Sequence, residues 1–282
     1  MIIRSYAKIN LSLKITGVRE EDGYHLLELV NLPIDLFDTI EVQKVDSWSS
    51  FVTTDDPDLM QIRENICKKA LDKMREKYGF KDQFRIMIHK DIPFAAGLGG
   101  GSSNAAAVML AINKILKLNA KKEELEEIAL SLGTDVPFFL DTKPSLVSGV
   151  GEKIDPIKVK KQYFCWLVKP RKGLDTQKVY QAADKFPRMR ISTEDVIKGL
   201  AMGDDEIVER ACGNELMPAA ESLCPDVGEV FAKLKKEGFY LSNMTGSGST
   251  CFALSKDWKK CKEAAKRFEK AGYIVHLCKT MR

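Results

Sequence analysis

The chain has 282 residues, of which 44% are hydrophobic and 30% charged, with a formal net charge of +4. These are values of a globular protein with room for one large domain or two ordinary ones, and they exclude a chain dominated by disorder. The positive charge is mild and spread out, without the concentrated basic face of a nucleic-acid binder.

In chain order, alternation in IIRSYAKINLSLKITG predicts a first strand ended by Gly17, with EEDGYH as a turn. LLELVNLPIDLFDTIEVQKV reads as further strand pairs. In PDLMQIRENICKKALDKMREKYG, apolar residues at Ile62, Ile66, Ala70, Leu71 and Met74 have helical spacing, closed by Gly79. FRIMIHKDIP is a strand arriving at a glycine run. SSNAAAVMLAINKILKL is a helix capped by Ser or Asn and built from good helix formers. KKEELEEIALSLGTDVPFFL predicts a helix stopping near Gly133, then a short turn and an apolar strand. The charged DPIKVKKQY segment could carry a boundary, placing one half at 1–157 and the other at 158–282. In the second half FCWLVKP is a strand, TQKVYQAADKF, STEDVIKGLAMGD and VGEVFAKLKKEG are helical, and FYLSNMTGSGSTCFALS is a hairpin with a glycine tip. WKKCKEAAKRFEKAG is a helix before the last strand, YIVHLCK. Strands and helices mix without strict βαβ repetition, which predicts an α+β pair of domains.

Cys67, Cys165, Cys212, Cys224, Cys251, Cys261 and Cys278 are odd in number, and none forms C-x-x-C. The three histidines, His25, His89 and His276, lie far apart, and the last two sit in strand patterns that mark them as structural. A zinc site and a disulfide framework are therefore not expected, and reduced thiols in a cytoplasmic protein are. The chain contains no apolar run long enough to span a membrane, and its first residues lack a signal-peptide pattern.

The glycine run IPFAAGLGGGSSNAAAV carries the strongest chemical signal. Four glycines fall within five positions (Gly97, Gly99, Gly100, Gly101), directly ahead of a helix. A tight turn needs one glycine. A loop of residues without Cβ that feeds a helix N-terminus presents bare N–H groups and the helix dipole to an anion, most often phosphate. The run is not a Walker loop, because no lysine follows the glycines. Nor is it a dinucleotide fingerprint, because it enters a long helix with no second strand at the required distance.

This stretch resembles the central motif of the GHMP kinases (galactokinase, homoserine kinase, mevalonate kinase and phosphomevalonate kinase). SYAKINLSLKITG at the amino terminus and MTGSGSTCFAL at 244–254 fit the same superfamily. Together with DGYHLLELV and GTDVPFFL, they are similar to those members that phosphorylate a cytidine diphosphate-linked methylerythritol in the non-mevalonate (MEP) route to isoprenoids. The matching stretches run from residue 6 to about 254. The resemblance implies a two-domain fold, with an N-terminal ribosomal protein S5 domain 2-like part, a C-terminal ferredoxin-like part and the active site in the cleft between them.

The resemblance also implies roles. ATP would lie along Pro93, Phe94, Ala95, Ala96, Gly97, Leu98, Gly99, Gly100, Gly101, Ser102 and Ser103, with Asn65 and Lys90 near the nucleotide. Mg²⁺ would ride on the phosphates, and Ser103 is the hydroxyl considered for it. Asp135 would be the general base, and Lys8 the cation that keeps it ionised and favours the developing alkoxide. Asn10, Tyr24 and His25 would bind the other substrate, Tyr24 and His25 offering its nucleobase an aromatic plane and a directional polar group from one turn. Thr176 and Tyr180 keep a family spacing that makes Tyr180 the second aromatic wall, with core packing as its ordinary alternative. Thr245 to Ser249 would support the phosphate region. The expected protein is a cytosolic small-molecule kinase, monomer or weak homodimer, without nucleic-acid or membrane partners. Another GHMP kinase, for mevalonate, homoserine or a sugar, and a nucleotide-binding regulator that has lost its chemistry are the alternatives. Residues 46–60 and Thr134 depart from the usual family pattern.

Overall fold

The computed structural model describes residues 1–60 and 65–282, so Ile62 of the expected helix lies outside the described residues. The chain opens with two long strands, β1 (Ile2–Val18) and β2 (His25–Val45). The segment expected to hold several strand pairs is thus one strand of 21 residues. Its Pro33 lies between residues 27–31 and 39–45, the two stretches that pair with later strands, so neither ladder loses an N–H to the proline.

The chain packs as two compact units. One comprises Met1–Ala7, Leu36–Phe94 and Gly99–Thr142, and the other Lys8–Asp35, Ala95–Leu98 and Lys143–Arg282. The units interleave along the chain, whereas the division expected at 157/158 is linear; β1 and β2 each contribute to both.

The first unit contains β3 (Phe51–Thr54), α1 (Pro57–Met60), α2 (Ile66–Tyr78), β4 (Gln83–His89), α3 (Gly100–Leu116) and α4 (Lys122–Leu132). β3 and β4 are parallel, as the helical connection between them requires, and β4 is antiparallel to the 39–45 end of β2. Gly79 ends α2 in the left-handed conformation at φ 69°. Ala105, Ala106, Ala107, Val108, Met109, Ala111 and Ile112 of α3 are buried, so this helix is apolar nearly all round, as one packed against both α2 and α4 must be. The expected strand after Asp135 is instead a 3₁₀ turn, Pro137–Leu140. Pro137 presets its first φ, and Phe138 and Phe139 bury against α3 and α4 in place of pairing with a sheet.

The second unit holds β5 (Ser145–Gly149), β6 (Lys153–Pro156), β7 (Phe164–Lys169), α5 (Thr176–Ala183), α6 (Thr193–Met202), α7 (Asp205–Ala211) and α8 (Met217–Leu223). α9 (Pro225–Lys236), β8 (Leu241–Met244), β9 (Cys251–Ser255), α10 (Trp258–Lys270) and β10 (Ile274–Lys279) complete it. β5 pairs with residues 27–31 of β2, and β6 with β5. The last four strands form an antiparallel sheet in the order β10-β7-β9-β8. Counted along the chain this is 4-1-3-2, with helices between its first and second and its third and fourth strands, which is the ferredoxin-like arrangement. Cys261, Ala264, Ala265 and Phe268 form the buried stripe of α10, and Trp166 of β7 meets Phe268 edge-on at 4.7 Å.

Candidate active site

In the first unit, the approach to the glycine segment is organised by Asp38, a fully buried carboxylate on β2. Its Oδ1 accepts hydrogen bonds from the N–H groups of Asp91 (2.9 Å) and Ile92 (2.8 Å), and its Oδ2 is paired with the ammonium of Lys90. Lys90 is therefore an internal cation, its side chain only 8% exposed, and not a surface lysine. Asn65 is the N-cap of α2; its side-chain oxygen accepts the Cys67 N–H at 2.9 Å.

The four glycines are there for different reasons. Gly99 is the left-handed N-cap of α3 at φ 73°, and no side chain caps that helix. The first-turn N–H groups of α3 have no intrahelical acceptors, so they and the helix dipole can meet an anion. A Cβ on Gly100 would lie 3.0 Å from Ile92 Cγ2, a packing constraint. On Gly101 it would meet nothing closer than Ile66 Cγ2 at 3.8 Å, and Gly101 is exposed. Packing or backbone geometry thus explains Gly99 and Gly100, whereas no neighbouring atom requires glycine at position 101. Ser102 is half-buried. Ser103 is buried, and its Oγ accepts from Ser5 Oγ at 2.7 Å. Ser102 is the more accessible of the two hydroxyls expected near phosphate. Pro93 is half-buried, and Phe94 is 46% exposed. Asp135 occupies the turn between α4 and the 3₁₀ segment, half-buried, where the Val136 N–H donates to Gly133 O at 3.1 Å.

In the second unit, Lys8 and Asn10 are buried on β1, at 2% and 1% exposure. The Lys8 ammonium donates to Asn10 Oδ1 at 2.6 Å and to Gly97 O at 2.9 Å. Asn10 Nδ2 donates to Asn31 Oδ1 at 2.6 Å, and the Asn10 N–H to Thr245 Oγ1 at 3.0 Å. Thr245 Oγ1 lies 3.1 Å from Gly97 O as well. The knot leaves no room at Gly97: with φ at 72°, a Cβ there would lie 2.3 Å from Thr245 O. Gly97 is a glycine because the hairpin backbone packs on it. Ala95 is exposed and holds φ at 49°, while Ala96 and Leu98 are buried, so these two offer a ligand backbone atoms at most.

A second cluster surrounds His25. Its ring lies 5.2 Å from that of Tyr180, and Nε2 is 2.9 Å from Asp184 Oδ1. The hydrogen bond from His25 holds the Asp184 carboxyl below its ordinary value, against a smaller opposing effect of burial. Tyr24 is 56% exposed in a turn fixed by the Arg19–Asp22 pair, with the Arg19 guanidinium 5.9 Å from its ring centre. Thr176 begins α5, which Asp175 caps, and its Oγ1 lies 2.9 Å from Ser247 Oγ in the glycine hairpin. The unit thus gathers Lys8, Asn10, Gly97 and Thr245 in one group and His25 and Tyr180 in another, with Thr176 on the hairpin. Asp38, Asn31 and Asp184 were not singled out from sequence; a polar residue inside an apolar strand was the available signal for the first two.

His89 faces Asp55 and Glu41 at the end of β4, with its side chain 42% exposed. All seven cysteines are free, and all but Cys212 are buried. No helix of the described residues is long and apolar enough to cross a membrane.

Residues 65–143 match the GHMP kinases N terminal domain, and residues 196–274 the GHMP kinases C terminal domain. The chain belongs to the GHMP kinase family. It is 34% identical over 293 residues, covering 100% of both chains, to the 4-diphosphocytidyl-2-C-methyl-D-erythritol kinase of Clostridium beijerinckii. It is likewise 34% identical over 280 residues, 97% of this chain and 94% of the other, to the enzyme of that name from Clostridioides difficile. A crystal structure of 4-(cytidine 5'-diphospho)-2C-methyl-D-erythritol kinase superposes with a TM-score of 0.83 at 31% identity, covering 100% of both chains.

Proposed function

We propose that this chain transfers the γ-phosphate of ATP to the 2-hydroxyl of 4-diphosphocytidyl-2-C-methyl-D-erythritol, giving the 2-phosphate and ADP. The observation that carries this reading is the buried Lys8–Asn10–Thr245 knot lying in the same unit as the His25–Tyr180 pair, within a chain similar to that kinase over its whole length. The arrangement suits a substrate with a polar reacting end and a flat, hydrogen-bonding base.

Phosphoryl transfer is largely a matter of position and charge. Asp135 takes the proton of the 2-hydroxyl; that oxygen bonds to the γ-phosphorus as the bond to the ADP oxygen breaks. Lys8 is the fixed cation that favours the alkoxide, its orientation held by Asn10 Oδ1 and Gly97 O. The exposed backbone at Gly101 and the first turn of α3 receive the triphosphate, together with Ser102. Tyr24, His25 and Tyr180 hold the cytosine, and Asn10 and Thr176 the rest of the substrate.

Mg²⁺ neutralises phosphate charge when bound. Among the described residues no group of three or more His, Cys, Asp or Glu could hold a metal. In this reading the ion is carried on the nucleotide phosphates, with a loop hydroxyl as its protein contact. Ser103 was the hydroxyl expected in that role, and Ser102 is the more accessible one. In this reading the enzyme works in the cytosol, where its seven free thiols would stay reduced.

The test is ADP release from ATP and Mg²⁺ with the diphosphocytidyl substrate, mevalonate and homoserine in parallel. Turnover is expected with the first alone, lowered at least a hundredfold by Asp135→Asn. Turnover with mevalonate or homoserine instead would favour the neighbouring kinases of the superfamily. Unimpaired turnover in Asp135→Asn and Lys8→Ala would remove the assigned chemistry.

A further inference from the structure

Between α7 and α8, three consecutive residues of the second unit, Gly213, Asn214 and Glu215, are hydrogen-bonded to β1, to the glycine hairpin and to the segment after α5. Gly213 O accepts from Leu13 N–H at 2.9 Å, and the Glu215 N–H donates to Leu13 O at 3.0 Å, so the tripeptide docks on β1 like a short extra strand. A Cβ on Gly213 would lie 3.0 Å from Ile191 Cγ1, so the tripeptide packs tightly on the segment after α5.

The two side chains that follow are buried, at 1% and 4% exposure, and each reaches a different part of the site. Asn214 Nδ2 donates to Met244 O at 2.8 Å and to Gly246 O at 2.9 Å, so it straddles Thr245. Its Oδ1 accepts the Leu216 N–H at 2.9 Å, which fixes the amide with its donors toward the hairpin. Thr245 in turn holds the Asn10 N–H and Gly97 O, the same two residues that orient the Lys8 ammonium.

Glu215 reaches the other way. Its Oε2 accepts the Ile15 N–H of β1 at 2.7 Å, and its Oε1 accepts the Met189 N–H at 2.8 Å. Met189 lies in the segment that leaves α5 through Asp184, the partner of His25. Neither oxygen is matched by a cation among the described residues. The carboxylate's burial is thus compensated by two charge-assisted bonds to backbone N–H groups, which are strong and directional.

We propose that Asn214 and Glu215 are positioning residues with separate targets: Asn214 sets the glycine hairpin beneath the Lys8–Asn10 pair, and Glu215 sets the 184–191 segment that carries the His25 partner. The inference rests on the assignment of these two groups to transfer and to cytidine binding. It follows that the two neighbours, one residue apart in a single buried clip, control different kinetic constants.

The variants that separate the two roles are nearly isosteric. Glu215→Gln keeps one acceptor and turns an N–H₂ toward the other backbone N–H. Loss of one charge-assisted bond raises KM for the diphosphocytidyl substrate on the order of tenfold, with kcat and the KM for ATP within about twofold. CDP binding measured by calorimetry weakens by about the same factor. Asn214→Asp keeps the Leu216 acceptor but loses both donors, and lowers kcat on the order of tenfold with both KM values within about threefold. Thermal unfolding shows which variants are folded; if Asn214→Asp is not, Asn214→Ser, which lets water reach the two carbonyls, decides by the same split. In folded variants, equal losses in kcat and both KM values, or no change in any of them, overturns the proposal. A wild-type chain that binds CDP but does not turn over the substrate counts against the proposed function, whereas CDP affinity in Glu215→Gln tests the clip alone.

Discussion

Asp184 Oδ1 and His25 Nε2 are 2.9 Å apart, joining two residues separated by 159 positions. The contact fixes the imidazole: an ionised carboxylate can only accept, so Nε2 carries the hydrogen and Nδ1 faces away from Asp184. Tyr180, four residues before Asp184, lies against the same imidazole, so α5 and its end position His25 together.

Asp184→Asn is expected to raise KM for the diphosphocytidyl substrate by roughly three- to tenfold without changing kcat, because an amide holds the ring less firmly than a carboxylate. With the Asp184 side chain 50% exposed, stability should scarcely change, by well under about 1 kcal/mol. Steady-state kinetics and a melting curve check both halves, and an unaltered KM would remove Asp184 from substrate binding.

The glycine run separates into positions by one substitution each. Gly97→Ala places a Cβ 2.3 Å from the backbone oxygen of Thr245 at a positive φ, so it is expected to distort the hairpin and cost about 3 kcal/mol or more in urea unfolding. Gly101→Ala meets only open space and ordinary contact. It should leave stability within about 1 kcal/mol yet raise KM for ATP several-fold, because its methyl group occupies the side that phosphate approaches. Equal effects at the two positions would contradict this division.

Asp38 and Lys90 form a buried pair that also secures the backbone leading to the glycines. Asp38→Asn leaves the ammonium without its counter-charge and is expected to destabilise the protein by about 3–5 kcal/mol. Replacing both residues, as Asp38→Asn with Lys90→Met, should recover part of the loss in chemical denaturation. No recovery would mean that the backbone bonds, and not the ion pair, carry the effect.

Asp205 supplies a pH test. Burial alone would raise its carboxyl, but Lys256, the Tyr163 hydroxyl and Lys161 outweigh it and hold the value below the ordinary range. A carboxyl lowered on folding contributes stability that is complete above its unfolded value of about 3.9 and is lost as pH falls through the folded value. Asp205→Asn should therefore cost about 2 kcal/mol at neutral pH, and the gap to the parent protein should narrow as pH falls below about 4. Paired denaturation curves from pH 7 to pH 3 check this; a gap that widens on acidification has the wrong sign.

Local signals in the sequence reached the elements whose cause is local. The alternation of β1, the alanine-rich α3, the Gly79 stop and the MTGSGSTC hairpin all depend on neighbouring residues and are found where the pattern puts them. The 3₁₀ turn at 137–140 was hidden because PFFL has the hydrophobicity of a strand, and burial against two helices satisfies it equally well. α7 and α8 have seven residues each, too few to show a period. At the site, Lys8, His25 and the glycine run were legible through motif resemblance. Asn10 and Thr245 were legible in the same way, but their contact was not, since they are 235 positions apart, and Asn214 and Glu215 carry no pattern until folding brings β1 to them. The glycine run itself carried a mixed message, since Gly97 answers to Thr245 and only Gly101 to open space.

The central claim is the identity of the acceptor oxygen, and ³¹P NMR of the products tests it most directly. Incubation with ATP, Mg²⁺ and 4-diphosphocytidyl-2-C-methyl-D-erythritol is expected to yield ADP and one new phosphomonoester resonance coupled to the substrate's C2 framework, with the substrate diphosphate intact. ATP unchanged in the presence of folded protein, or a phosphomonoester at any other hydroxyl, would contradict the account.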